Sequence, residues 1–403
     1  MTAQPEHVLV VGAGLGGLRT VEQLRAAGFQ GRISLVGAEV HPPYDRPPLS
    51  KQLLTGDWEP ERLVLRTQEG LDELGVRAHL GRRAVALRPG EVELSDGASL
   101  YGDAVVLATG LVARELPGQP DGVHTLRTLD DGLALRKVLE KAASVLVVGA
   151  GFIGAEVASS AHRRGVEVTV LEAAAAPAER ALGPEVARVA ARLFTEAGVD
   201  LRTGVSITGF TEPGADGVGV ELAGGERVTA DIGVVGIGGR PDLEWLASTG
   251  LDTTSGLACG STGRVDGLDR VWAVGDVASW ADADGVRHRH EHWTSAGDQA
   301  AVVARDILGA APPPPTVPYF WSDQLGLKIQ LIGRPEAAES VMPLHGSGFD
   351  DGPVRGTVAG YLAGDRLVAV VGFGAARFIA RYRALVAEGA DRAATEQLRA
   401  ALS

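Results

Sequence analysis

Three groups of residues in this chain have the types and spacing to do chemistry. The first is Gly12-Ala13-Gly14-Leu15-Gly16-Gly17, directly after the apolar run at 8–11. The second is its near copy, Gly149-Ala150-Gly151-Phe152-Ile153-Gly154, directly after 144–148. In such a string the first glycine permits a tight turn, the second lets backbone approach a pyrophosphate, and the third lets helix and strand pack closely. The helix that follows offers unpaired N–H groups and a partial positive charge to the diphosphate. One string of this kind, in a chain with 55 glycines, is a weak signal. Two, each set between a strand and a helix-then-strand pattern, are a strong one. The third group is Lys51, which follows Pro47-Pro48-Leu49-Ser50 in a chain with four lysines against 34 arginines. A lysine placed straight after that turn suggests a held ammonium, and a held ammonium can stabilise developing negative charge. Glu156, in the helix after the second string, reads on its own as a first-turn glutamate favoured by the dipole alone.

Sulfur chemistry is excluded. Cys259 is the one cysteine of the sequence, so the chain has no internal disulfide, no four-thiolate iron–sulfur cluster, no structural zinc set and no redox-active cysteine pair. Nothing near it in sequence would lower a thiol pKa, so it reads as inert. The run Arg287-His288-Arg289-His290 reads as a solvated charged loop, and no metal is expected.

The elements that must position these residues follow from periodicity. Leu15, Leu18, Val21 and Leu24 form one helical stripe, with Gly28 as its stop. Ile153, Val157 and Ala161 form another, which stops near Gly165. Each helix leads into a strand, at 33–36 and 166–171, giving a βαβ unit twice. The copies differ where the second strand ends. Glu172 stands where a carboxylate accepts hydrogen bonds from an adenosine ribose diol, which favours NAD over NADP; Arg180 nearby is the counterargument. In the first copy the aligned position is Gly37, and the nearest acid is Glu39.

Further strands end in glycine turns at 104–110 and 234–239, which read as the crossings between a first domain and an inserted second one. Another runs through 270–276 and ends in Gly275-Asp276. That acid could bond a polyol hydroxyl or cap a helix, with a helix start expected after it. The run 312–315 is all proline and reads as an extended linker. Strand-like pieces at 328–332, 356–362 and 367–372 and a final Arg/Ala-rich helical stretch follow. The expected architecture is α/β, with two Rossmann-type dinucleotide-binding domains plus a C-terminal α+β domain. The expected boundaries are 1–108 and 231–311 for a discontinuous first dinucleotide-binding domain, 109–230 for the second, inserted in it, and 312–403 for the C-terminal domain.

Composition agrees. Hydrophobic residues make up 45% and charged residues 22%, which places the chain among globular proteins and excludes disorder. The net charge of −13 argues against nucleic-acid and anionic-membrane partners. The segment 1–7 is polar, with neither basic leader nor apolar core, and no stretch approaches a membrane span, so a cytoplasmic place is expected.

Taken together these residues resemble the FAD-dependent NADH:ferredoxin reductases of bacterial oxygenase systems, the putidaredoxin, rubredoxin and biphenyl-dioxygenase ferredoxin reductases. The similarity covers nearly the whole chain and implies a glutathione-reductase-like fold, in which the first domain binds FAD and the inserted one NAD. It rests most on 43–51 (Pro43-Tyr44-Asp45-Arg46 through Lys51), Leu126-Arg127-Thr128, Val274-Gly275-Asp276, Glu291-His292-Trp293 and 318–324 (Pro318-Tyr319-Phe320-Trp321-Ser322-Asp323-Gln324). The resemblance implies FAD diphosphate contacts at Gly12, Gly14, Gly16 and Gly17, with Ala38 and Glu39 near the adenosine and Ala84 at the adenine. It sets Arg46, Lys51, Arg127, Asp276 and Trp293 along the flavin and its polyol. NAD contacts fall on Gly149, Gly151, Ile153, Gly154, Glu156, Glu172, Arg180 and Gly238. Lys51, Glu156 and Trp321 take the catalytic places: Lys51 stabilises flavin charge, Glu156 orients Lys51 or the nicotinamide, and Trp321 shapes the side from which electrons leave.

The implied reaction passes two electrons from NADH to FAD, which releases them singly to an iron–sulfur ferredoxin in transient contact. Members of the group are often monomers or weak homodimers. Two alternatives remain open at this point. One is an NADH oxidase or other-acceptor reductase on the same scaffold. The other is a flavin-binding interaction protein resembling apoptosis-inducing factor, against which the acidic charge counts. Ferredoxins are commonly acidic too, so the net charge opposes encounter unless a local arginine patch steers docking; the sequence spreads its arginines too widely to locate one.

Overall fold

The computed structural model describes residues 4–214, 217–282 and 284–402; of the polar segment 1–7, residues 1–3 lie outside them. The chain is α/β and divides into two compact units: Met1–Asp45, Glu61–Val112 and Gly239–Thr316 form one, and Arg46–Pro60, Ala113–Gly238 and Val317–Ser403 the other.

In the first unit, β1 (His7–Val11) leads through the glycine turn into α1 (Leu15–Ala26) and β2 (Arg32–Val36). The sheet is parallel, in the order Val271–Ala273, Ala104–Leu107, β1, β2, Val76–His79. Val8 to Val11 are all buried, as a strand covered on both faces demands. Leu18, Val21 and Leu24 of α1 pack with Val8 and Val10 on one face. Leu9 and Val11 pack on the other against Ala84, Leu87, Val92 and Leu94 of a small antiparallel meander. Gly28, at φ +89°, ends the helical stretch.

The second unit repeats the plan with β3 (Ser144–Val148), α2 (Phe152–Arg163) and β4 (Glu167–Leu171), in a parallel sheet ordered Asp200–Arg202, β4, β3, Ile232–Val235, Val123–His124. The same unit holds an antiparallel sheet whose edge strand is β5 (Tyr319–Gln324), followed by Leu327–Gly333, Arg366–Phe373, Val358–Ala363 and Ser340–His345. One face packs Ile329, Leu331 and Phe373 against Leu182 and Val186 of the helix Glu179–Ala197. The other packs Ile332 and Val370 under Phe378, Ile379 and Tyr382 of α3 (Ala376–Glu388).

Three local expectations are corrected. No helix follows Asp276: Gly275–Val277 is a single 3-10 turn capped by Val274, and the chain continues as the strand Ala278–Ala281, paired to Leu257–Cys259. The next helix begins only at Trp293. The final helical stretch is two helices, because Gly389 takes a left-handed conformation (φ +59°) and Asp391 caps a new start by accepting from the Ala394 N–H at 2.8 Å. Ile153 does not join the buried stripe of Val157 and Ala161 and is 48% exposed.

Candidate dinucleotide and electron-transfer sites

Both glycine turns are built the same way. The Gly12 N–H donates to the Val36 carbonyl at 2.8 Å, and the Gly149 N–H to the Leu171 carbonyl at 2.7 Å. Each of the two first glycines has positive φ, +116° and +98°. A Cβ on Gly12 would stand 2.2 Å from the Ala108 carbonyl oxygen, and one on Gly149 would stand 2.6 Å from that of Gly236. The last glycines are tighter still: a Cβ on Gly17 would meet the Gly12 oxygen at 1.8 Å, and one on Gly154 the Gly149 oxygen at 2.0 Å. Gly16 is confined more mildly, 3.2 Å from a Val274 methyl.

The middle glycines differ in kind. A Cβ on Gly14 would touch nothing within 4 Å, and one on Gly151 only the Gly236 oxygen at 3.9 Å. Their φ values of −79° and −65° suit any residue. The fold itself therefore gives no reason for glycine at 14 or 151; a group that lies against the backbone from outside does. The helices agree, since neither α1 nor α2 has a side-chain cap or an acid in its first turn, which leaves their first N–H groups for an anion. These residues fit the diphosphate of a dinucleotide.

The residues beyond each second strand set the turns apart. A Cβ on Gly37 would lie 2.7 Å from that of Ala13, so the first copy has no room for an acid there. Glu39, two residues on, accepts from the Tyr44 hydroxyl at 2.6 Å. In the second copy Glu172 is held by its own loop. Its Oε2 accepts from the Ala150 N–H at 2.6 Å and its Oε1 from the Ala174 N–H at 2.8 Å. Each oxygen keeps a lone-pair direction for a diol hydroxyl. Arg180 is exposed at the start of the next helix, Gly238 has φ +95° with open space around it, Ala38 is exposed and Ala84 is buried.

Also in the first unit, the Trp293 indole N–H donates to Asp45 Oδ1 at 2.7 Å, and the Arg19 guanidinium stands 5.8 Å from the ring. Asp276 is half-buried on its 3-10 turn, and the Gly275 N–H before it donates to Gln299 Oε1 at 2.7 Å.

The second unit brings Arg46, Lys51, Arg127 and Glu156 into two clusters. The Arg46 guanidinium donates to the Arg127 carbonyl. The Arg127 N–H donates to Asp131, which forms a capping box with Thr128 on the helix Leu129–Leu139. The second cluster centres on Glu156, 2% exposed on the inner face of α2. It lies one turn beyond the helix start, so the first-turn dipole reading is corrected: what fixes it is four donors. Oε2 accepts from Lys51 Nζ at 2.7 Å and the Ser50 hydroxyl at 2.5 Å. Oε1 accepts from the Ser322 hydroxyl at 2.6 Å and the Asp323 N–H at 3.3 Å. A carboxylate so surrounded has no lone pair to spare. Lys51 Nζ also donates to the Pro47 carbonyl at 3.1 Å. Among the described residues its third N–H has no acceptor, so the ammonium is aimed but not consumed.

Ser50 and Ser322 were not singled out by the sequence as site residues. Each adjoins one that was, Lys51 and Trp321, and that adjacency was the available signal. Gln324 Nε2 donates to the Ser322 hydroxyl at 3.0 Å, and this fixes the direction of its hydrogen bond. Phe320 packs against Phe152, the first residue of α2, with ring centroids 4.3 Å apart and the ring planes tilted by 46°. Strand alternation puts Phe320 and Ser322 on the face toward α2, and Tyr319 and Trp321 on the other, their rings stacked at 5.8 Å. Trp321 is half-buried.

Cys259 is fully buried, and burial pushes its thiol up to about 12. Arg287 pairs with Asp266, His288 with Asp282 at 3.0 Å and Arg289 with Glu291 at 2.7 Å. Among the described residues no group of His, Cys, Asp and Glu is placed to hold a metal, and no helix is long and apolar enough to cross a membrane.

Comparison with known proteins extends this geometry. Residues 6–300 match the family model described as pyridine nucleotide-disulphide oxidoreductase, and residues 319–401 match the reductase C-terminal model. The chain is 39% identical over 333 residues to the chlorobenzene dioxygenase ferredoxin reductase component of Cupriavidus sp. (strain PS12), covering 81% of this chain and 80% of the relative. It is 35% identical over 384 residues to putidaredoxin reductase CamA of Pseudomonas putida, with 91% and 88% covered. Among solved structures, the reductase chain of the covalent putidaredoxin reductase–putidaredoxin complex superposes with a TM-score of 0.89 at 32% identity, over 95% of this chain and 93% of that one. The ferredoxin reductase for the CYP199A2 system from Rhodopseudomonas palustris gives 0.89 at 30%, over 97% and 96%.

Proposed function

We propose, from the premise that this chain belongs to the pyridine nucleotide-disulphide oxidoreductase family, that it is an FAD-dependent NADH:ferredoxin oxidoreductase serving an oxygenase. The observation that carries this reading is the pair of glycine turns whose middle glycines, Gly14 and Gly151, are open to an outside group, in a chain whose lone cysteine forbids the disulfide of the family's name. When bound, FAD would take up two electrons from NADH and part with them one at a time to an iron–sulfur acceptor.

The chain's own contribution is binding, orientation and electrostatics. Gly12, Gly14, Gly16 and Gly17, with the first N–H groups of α1, take the FAD diphosphate. Glu39, Ala38 and Ala84 serve its adenosine, and Arg46, Arg127, Asp276 and Trp293 serve the flavin and polyol. Gly149, Gly151, Ile153, Gly154 and Gly238 take the NAD diphosphate and its surroundings. Glu172 takes the ribose diol, and its negative charge opposes a 2′-phosphate more strongly than exposed Arg180 favours one. Lys51 stabilises negative charge on the reduced cofactor, and Glu156 positions Lys51. Trp321 lines the route toward the acceptor. The division into an FAD domain (1–108 and 231–311), an NAD domain (109–230) and a C-terminal domain (312–403) belongs to this reading. So do a monomer or weak homodimer and a cytoplasmic place.

An acceptor panel tests the function. Ferredoxin-dependent cytochrome c reduction by NADH should exceed oxygen consumption by at least about tenfold, a difference of ~1.4 kcal/mol in barrier. Oxygen consumption at the same rate without ferredoxin would make the protein an oxidase.

A further inference from the structure

We propose that the arginine-bearing surface of α3, beside Trp321, is where an acidic iron–sulfur protein docks. This deepens the reading above and rests on it. The first support is where the chain keeps its charge. Residues 317–403 carry nine lysines and arginines and nine acids, so the remaining residues hold the whole of the −13. An acidic protein approaching this molecule is repelled by most of it and least by the C-terminal sheet and its helices.

The second support is how the arginines of α3 are used. Arg377, Arg381 and Arg383 are exposed along the helix, and its one acid, Glu388, is its last residue. Among the described residues none of the three makes an ion pair. Some exposed arginines elsewhere are neutralised in place, Arg163 by Asp57 at 2.9 Å, Arg202 by Glu226 at 2.7 Å and Arg264 by Asp306 at 2.7 Å, whereas α3 gathers three without an ion-pair partner on one helix. Two of the α3 arginines are also held in position. The Arg377 guanidinium lies 4.5 Å from the Phe378 ring centroid, and Arg383 donates to the Val317 carbonyl at 3.4 Å. Cations already ordered lose less side-chain entropy on binding a partner.

The third support is the neighbourhood. Phe378, Ile379 and Tyr382 of α3 share a core cluster with Tyr319 of β5. Tyr319 stacks on Trp321 on that same face of the sheet. Val317, which Arg383 reaches, lies two residues before β5. The unneutralised cations and the half-buried tryptophan thus belong to one face of one sheet. An acidic partner drawn to the helix is brought beside the aromatic residue through which the proposed reading sends electrons. Opposite charges steer encounter and fix orientation more than they add affinity.

The test is the double variant Arg377→Glu/Arg381→Glu, compared with the control Lys137→Glu/Lys141→Glu, which makes the same charge change on another exposed surface. Each is assayed with NADH and two acceptors: a [2Fe–2S] ferredoxin of negative net charge from an oxygenase system, and ferricyanide. The α3 variant should raise KM for the ferredoxin about tenfold or more at low ionic strength and leave ferricyanide reduction within about twofold. The gap should close as salt shortens the reach of charges to about 3 Å at 1 M. The control should leave KM unchanged. A parent protein that reduces the ferredoxin while the α3 variant does so with unaltered KM, or an equal loss in the control, overturns the proposal and leaves the reductase reading intact. A parent that reduces ferricyanide but no ferredoxin overturns the reading beneath it. Sedimentation in which the parent self-associates and the α3 variant does not would assign the helix to a second copy of this chain, and the proposal would fall.

Discussion

The two glycine turns share one backbone plan and part company at the residue that closes the second strand. After β2, Ala13 crowds Gly37 and leaves no room for a side chain, so the acid moves to Glu39 and is occupied by Tyr44. After β4, Glu172 stands in that position and is clamped by two backbone N–H groups, one from the glycine turn itself. A carboxylate fixed in advance can present its remaining lone pairs to a diol without first being ordered, and in the proposed reading its charge meets an arriving 2′-phosphate. The geometry shared by the two turns is what any diphosphate needs; in the proposed reading, discrimination between dinucleotides is added at one position, glycine in the first copy and Glu172 in the second.

The largest effect should come from the glycines that serve the backbone. Gly17→Ala and Gly154→Ala each force a Cβ to within 2.0 Å of a carbonyl oxygen, so both should lower stability by about 3 kcal/mol or more, read by denaturant unfolding. Wild-type stability in either would show that the turns can relax, and the plan would lose its steric basis. Next come the open glycines. Gly14→Ala and Gly151→Ala should unfold like the parent when stripped of cofactor and break different functions. The first should lose bound flavin. The second should stay yellow, with KM for NADH raised about tenfold, equivalent to ~1.4 kcal/mol of lost binding. If both variants behave alike, the turns are not specialised.

Glu172→Ala removes the proposed discriminator. The ratio of kcat/KM for NADH over NADPH should fall about tenfold, as expected for loss of hydrogen bonds to a charged group worth ~1.5–3 kcal/mol. A parent protein that uses both coenzymes equally would contradict the assignment. The smallest change is Ser322→Ala, which takes one of four donors from Glu156. It should slow reduction of the flavin by NADH about fivefold, near 1 kcal/mol, and leave flavin content untouched. Restoration by Ser322→Thr would separate the hydroxyl from mere packing.

What the sequence made legible was local. Each turn is a run of six residues between a strand and a helix, and its steric logic needs no distant partner. Lys51 was legible too, because lysine is rare here and follows a proline turn. The donors around Glu156 were not: Ser50 lies 106 residues before it and Ser322 166 residues after it, and a serine carries no signal of its own. The helix expected after Asp276 failed for a related reason. Gly-Asp there resembles a helix start, yet Ala278–Ala281 finds a strand partner in Leu257–Cys259, and tertiary pairing outweighed the local pattern. The split of the last helix was written in Gly389 and Asp391, whose stop and cap chemistry a uniform Arg/Ala reading passed over.

The central claim is that one dinucleotide bound at the second turn reduces another held through the first. Anaerobic titration of the purified protein with NADH, followed by visible absorption, tests it most directly. The account predicts a yellow protein whose flavin colour bleaches with stoichiometric NADH and returns when oxidised ferredoxin is added. A colourless protein that releases no flavin on denaturation, or a yellow one that excess NADH leaves unbleached, would contradict it.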